Sequence, residues 1–222
     1  RRPAVAPCSR RLQRLWRVIR YAADARERRR ASDFSPGVGS FGIRQCEDRR
    51  DLAPPKPSDH PFGQIPYLTD GSVGVFESGA ILHYIADKHD DKCSTAEARA
   101  KFTKWVLWAN SSLDPICFVE NDRGQVMGTR LDQPGRAVSV LDQLLSESDY
   151  LVDNDFSVAD VAVCSYLNYV PLFFPSVRLN SPNIVSYMKR CAERPAFAKA
   201  FGGGHANAVL AACANAGSSG GE

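Results

Sequence analysis

The chain predicts a small α/β unit followed by an all-helical domain, and three observations carry that prediction. Two short β-prone runs, Tyr67–Thr69 and Val73–Phe76, flank a Gly-containing turn and lead straight into an apolar helical pattern. Residues 97–147 then carry apolar stripes at helical spacing. Finally, Ser157 and Asp160 form a Ser-x-x-Asp box opening a segment that is apolar nearly all round, as a buried helix is.

In the α/β unit, Asp70-Gly71-Ser72 is the hairpin signal, because Gly tolerates the positive φ such turns require. Next comes a helix with apolar positions Ile81, Leu82 and Ile85 and with Ser78 read as its cap. A helix start leaves backbone N–H groups free and a partial positive charge, so a carboxylate is well placed there. Glu77 beside it adds the opposite sign, and a zwitterion such as an α-amino acid head fits the pair. Ahead of the first strand stands Ile65-Pro66, whose X-Pro bond tolerates the cis form at modest cost. That form would turn the backbone of Ile65 outward toward a peptide-like ligand. Each element also has a plainer role, as a loop entry or an ordinary cap.

In the helical part, Phe102, Trp105, Val106, Trp108 and Ala109 make one stripe, and Asp114-Pro115 interrupts it. Val138, Leu141, Leu144 and Leu145 make a second stripe, read as core like the first. Asn121-Asp122-Arg123-Gly124 reads as a turn, and Phe173-Phe174-Pro175 as a later break. Phe156, just before the box, is placed to staple against Val161 at the fourth helical position. Beyond Phe201 the chain is rich in Gly, Ala, Ser and Asn and is expected to be a flexible tail, with a short helix near residues 205–214 as the one ordered possibility.

The order Phe62-Gly63-Gln64-Ile65-Pro66 and then Glu77-Ser78-Gly79-Ala80-Ile81 resembles the glutathione transferase family, in the second half of its thioredoxin-like domain. The box in Asp149–Ala162 resembles the core helix start of that family's helical domain, where it helps folding, so Asp160 is expected to be structural. The stretches Tyr187–Arg190, Arg194–Phe197 and Phe201 are similar to its last helices. The resemblance covers about residues 61–201. It implies a thioredoxin-like domain over 1–90, a transferase-type helical bundle over 91–201 and a tail over 202–222. It also implies that Ile65 with Pro66 binds the cysteinyl backbone of glutathione, that Glu77 with Ser78 binds the γ-glutamyl group, and that Gln64 serves the glycyl end. The implied reaction adds the glutathione sulfur to a small hydrophobic electrophile, with Tyr84, Trp105, Trp108 and Phe118 as candidate contacts. A homodimer is implied by the family as well, and detoxification as its role.

The activating group is sought in the first residues, where Ala6-Pro7-Cys8-Ser9-Arg10-Arg11-Leu12 resembles the family's turn into its first helix. The usual hydroxyl position there holds Val5. Ser9 is the first candidate for the catalytic role and Cys8 the second. A hydroxyl would donate a hydrogen bond to the thiolate and lower its pKa, whereas Cys8 would favour mixed-disulfide chemistry. A role as plain helix-entry residues is the alternative for both. Where a second strand is expected, the chain instead reads Gly37–Ile43.

Charge is uneven. Residues 1–50 hold 14 basic groups, all Arg, against five acids, and residues 51–222 hold 14 against 20, so a net +3 hides +9 and −6. The basic start reads as a nucleic-acid arm, a transit-peptide remnant or a locally altered reading frame. Leu12, Leu15, Trp16 and Ile19 weaken the arm reading because they form a helical apolar stripe. Nucleic acid is therefore not the expected partner. Seven cysteines without a CxxC pair argue against a disulfide framework or zinc site and for a reducing compartment, read as the cytoplasm, or an organelle on the transit reading. His83, His89, Asp90, Asp91 and Cys93 lie near one another in sequence, but the histidines do not share a helix face, so no metal is expected. No apolar run is long enough for a membrane span. The principal rival to an enzyme is a non-catalytic transferase-like module that contacts partner proteins.

Overall fold

A computed structural model of the chain describes residues 61–62, 66–70, 72–89, 94–133 and 135–217. Ser9, Cys8, Gln64, Ile65 and the arginine-rich start lie outside them.

The described chain begins with an antiparallel hairpin of β1 (Tyr67–Asp70) and β2 (Val73–Phe76), in register from Tyr67 opposite Phe76 to Asp70 opposite Val73. The Tyr67 hydroxyl lies across Gly74, in the space a Cβ there would need, so any larger residue would have to displace the Tyr67 ring. Helix α1 (Ser78–His89) follows and buries Ile81, Leu82, Ile85 and Ala86 on one face. Asp70 ties the hairpin to this helix. It accepts a hydrogen bond from the Tyr84 hydroxyl at 3.0 Å and pairs with Lys88.

Helix α2 (Ala96–Trp108) starts at Thr95, whose hydroxyl accepts the Ala98 N–H at 3.1 Å. It runs without a break into a π-helical turn, Ala109–Leu113, and then a short α3 (Asp114–Cys117) carrying Pro115 in its first turn. The Asp-Pro interruption is thus a local change of helical pitch. The stretch 97–147, read as helices with a turn at Asn121–Gly124, also holds a second hairpin round that turn, β3 (Val119–Glu120) with β4 (Val126–Gly128). Asn121 builds its turn: the side-chain oxygen accepts the N–H groups of Arg123 and Gln125, both at 3.0 Å.

Next come α4 (Arg136–Glu147), α5 (Val158–Phe173), α6 (Pro182–Ala192), α7 (Pro195–Phe201) and α8 (Gly203–Gly217). Helix α5 is the axis of the bundle. Thirteen of its residues, from Val158 to Pro171, are buried, and α1, α2, α3, α6 and α8 all pack on it. Asp142 on α4 caps α6 from outside, its carboxylate accepting the N–H groups of Asn183 and Ile184, both at 2.9 Å. The tail expected over 202–222 is corrected for its described part: the short helix allowed near 205–214 extends over Gly203–Gly217. His205, Val209 and Cys213, one helical turn apart, are buried, and His205 sits among the rings of Tyr169, Phe197 and Phe201 at 4.8, 5.4 and 5.1 Å. Its Nε2 bonds the Asn168 carbonyl at 2.9 Å, so packing orders a segment whose composition alone does not.

Candidate functional site

The hairpin register brings the ends of the predicted motif together. Tyr67 pairs with Phe76, so Pro66 just before β1 and Glu77 just after β2 sit side by side at one end of the hairpin, where α1 begins. Pro66 is buried, Ser78 half-buried and Glu77 exposed. A compact polar corner results, with an apolar floor.

The cap differs from the expected one. The first bond of α1 runs from the Ile81 N–H to the Glu77 carbonyl at 3.0 Å, so Glu77 occupies the cap position and Ser78 is the first helical residue. Glu77 has φ +67°, in the left-handed region that non-Gly residues enter only at a cost. The reason is geometric: β2 passes into α1 with no linker, and one residue must take the whole reversal. Glu77 is exposed, and the N–H groups of the first helical turn have no acceptor within the helix, so acceptor and donors for a zwitterion share one helix end.

Asn110 was missed by the sequence reading. It lies in the π-helical turn and its Oδ1 accepts the Tyr166 hydroxyl at 3.0 Å. A Cβ on the buried Gly79 would come within 2.9 Å of Asn110 Nδ2 and 3.0 Å of Val106 Cγ1. The start of α1 is therefore pressed closely onto α2 and the π-helical turn, where a side chain at position 79 would push Asn110 and Val106 aside. The available signal was Ala109-Asn110-Ser111-Ser112 ahead of Asp114-Pro115, a polar break in an apolar stripe.

The four candidate electrophile contacts do not converge. Tyr84 holds Asp70, and Phe118 is buried against Phe173 at 5.4 Å. Trp105 and Trp108, their rings edge to face at 5.6 Å, line an open groove of about 550 Å³ between α2 and α4. Among the described residues no three His, Cys, Asp or Glu side chains converge as metal ligands. His83 is half-buried, and burial lowers its pKa against the raising effect of Asp87.

Asp160 closes the box as expected. Its carboxylate accepts the N–H of Leu151 at 3.0 Å, the N–H and hydroxyl of Ser157 at 2.9 and 3.0 Å, and the Tyr187 hydroxyl at 3.1 Å. Burial pushes its pKa up to about 6 in spite of these four donors.

A hairpin entering a helix at a strained polar corner, docked on a bundle built round a capped core helix, defines the glutathione transferase class of fold. The chain belongs to that family: the model of the glutathione S-transferase N-terminal domain matches residues 45–87 and that of the C-terminal domain residues 116–195, together more than half of the chain. The solved structure of glutathione transferase F7 from Populus trichocarpa is 25% identical, with a TM-score of 0.52 over 71% of this chain and 80% of that one. Glutathione S-transferase F13 of Arabidopsis thaliana is 27% identical over 64% of this chain and 74% of its own length. Elongation factor 1-gamma of Carassius auratus is 29% identical over 65% of this chain, which spans about a third (35%) of that longer protein. Among the described residues no helix is long and apolar enough to cross a membrane.

Proposed function

We propose that the chain binds glutathione at the start of α1 and transfers its sulfur to a small hydrophobic electrophile. One observation carries the reading: Glu77 is held at φ +67° and exposed at the start of α1, where the first turn has no acceptor of its own for its N–H groups. In this reading the γ-glutamyl carboxylate lies on the N–H and hydroxyl of Ser78, and its ammonium faces Glu77. Ile65 with Pro66 pairs the cysteinyl backbone, and Gln64 serves the glycyl end. Ser9, or failing it Cys8, donates a hydrogen bond that stabilises the thiolate. The thiolate then attacks the electrophile: a carbon–sulfur bond forms, the leaving group departs with its electron pair, and the thiol proton passes to solvent. A homodimer working in the cytoplasm, removing reactive compounds, completes the proposal.

The second reading is a non-catalytic, partner-binding module. It is favoured by Val5 at the usual hydroxyl position and by the likeness to elongation factor 1-gamma alongside the transferases. Calorimetric titration with glutathione separates the two, run on the intact chain and on a Glu77→Ala, Ser78→Ala double variant checked by circular dichroism. Binding lost only in the folded variant supports the site. Conjugation to a chlorodinitrobenzene is then compared with Ser9→Ala and Cys8→Ala. A folded intact chain that takes up no glutathione leaves the partner-binding reading.

A further inference from the structure

Tyr150, half-buried in the loop between α4 and α5, has two cations on its ring. The guanidinium carbons of Arg190, in the last turn of α6, and Arg194, just before α7, each lie 5.9 Å from the ring centre. Arg194 Nη1 donates to the Tyr150 hydroxyl at 3.2 Å, and its guanidinium carbon lies 3.8 Å from the centre of the Phe156 ring. The hydroxyls of Tyr84, Tyr166 and Tyr187 do the opposite and donate, to Asp70, Asn110 and Asp160. Burial raises the Tyr150 pKa while the charges of Arg194 and Arg190 pull it down, so both cations act on the oxygen as well as on the ring. Arg190 is meanwhile held by Asp149, at 2.8 Å through the carbonyl and 2.7 Å through a carboxylate whose side chain is 61% exposed. An ion pair so exposed contributes little. A phosphate on the Tyr150 oxygen is a dianion with three acceptor oxygens, and it matches two converging guanidinium forks better than a neutral phenol does.

We propose that Tyr150 is a phosphorylation site whose phosphate is received by Arg190 and Arg194, independently of the corner at Glu77. The Tyr150 oxygen attacks the terminal phosphorus of a nucleoside triphosphate held by a kinase. An oxygen–phosphorus bond forms, the bond to the bridging oxygen breaks, the nucleoside diphosphate leaves with its electron pair, and the phenol proton passes to the kinase's base. Arg190 then exchanges the Asp149 carboxylate for the phosphate, which fastens the loop to α6 and to the start of α7. The adjoining Leu151 N–H is bonded to the Asp160 carboxylate, so the modification bears on the box that opens the core helix.

The test incubates the full, folded chain and its Tyr150→Phe variant with a broad-specificity tyrosine kinase and magnesium ATP. Peptide mass spectrometry maps the phosphate, and phosphorus NMR follows its titration. Expected is phosphate on Tyr150 of the natural chain and none on that peptide of the variant. The second ionisation constant of that phosphate should exceed the constant of free phosphotyrosine by about threefold or more, because two guanidiniums favour the dianion. Arg190→Gln, which leaves Arg194 in place on Phe156, should reduce that ratio. A folded chain that takes no phosphate at Tyr150 overturns the inference: the two arginines then shield the hydroxyl and only staple the loop. A phosphate that titrates as free phosphotyrosine does overturns it too, as does a titration unmoved by Arg190→Gln.

Discussion

Replacing Glu77 by Gly separates the two consequences of its conformation. A non-Gly residue at φ +67° costs roughly 1–2 kcal/mol, and Gly adopts that region freely. Against this, Gly gives the unfolded chain more freedom, worth about 0.4–1 kcal/mol. The net expectation is a gain of about 0.5–1 kcal/mol, seen as a rise of about 1–4 °C in the thermal midpoint. Glutathione affinity moves the other way, because a charge-assisted hydrogen bond worth about 1.5–3 kcal/mol is lost, which is about tenfold to a hundredfold in dissociation constant. Glu77→Ala serves as the control, since it loses the carboxylate and keeps the strain. Differential scanning calorimetry and titration with glutathione read both quantities. A Glu77→Gly protein less stable than Glu77→Ala would refute the strain argument. A Glu77→Gly protein with unchanged glutathione affinity would refute the ligand role.

Gly79→Ala puts a methyl against Asn110 and Val106, and overpacking of about 1–3 kcal/mol outweighs the gain of up to about 1 kcal/mol in helix propensity. Urea unfolding should show a net loss, partly recovered by a second change, Val106→Ala. Asp142→Ala removes the outside cap of α6 and should cost about 1–3 kcal/mol in the same assay. Asp160 has a folded-state pKa raised to about 6, so its contribution is fully present below the unfolded value near 4 and is lost as pH rises through 6. Between pH 7.5 and 4 the stability of the natural chain relative to Asp160→Asn should therefore rise by about 2 kcal/mol, and a pH-independent difference would show that burial does not control this carboxyl. His205→Ala should release α8, read as faster amide exchange over residues 203–217 with the core of α5 still protected.

Much of this was legible because local signals coincided with tertiary ones. The hairpin and α1 follow from two β-prone runs, a turn and a helical stripe, and the core role of α5 follows from its continuous apolar run behind Ser157 and Asp160. Two misreadings share a cause. After Phe201 the Gly and Ala content points to a tail, and the stripe of His205, Val209 and Cys213 becomes a long helix only when α5 and α7 supply partners. Ser78 reads as the cap and Glu77 takes that place because the left-handed turn is set by how β2 meets α1, which no residue type announces. Asn110 was overlooked because its neighbour, Gly79, lies 31 positions earlier in the chain. The electrophile candidates scattered because an aromatic residue's type says nothing about which of several faces it occupies.

The contact between Gly79 and Asn110 has a consequence for anyone dividing this chain. The polar corner at Glu77 is set against a residue that is synthesised later and belongs to the helical part. A fragment ending near residue 90 would therefore retain every residue of the Glu77-Ser78 motif yet lose the surface that holds the start of α1 in place. Transplanting the corner into another scaffold means transplanting the π-helical turn with it. Sequence changes at residue 110 are then changes to the corner, although they fall in what reads as the next domain.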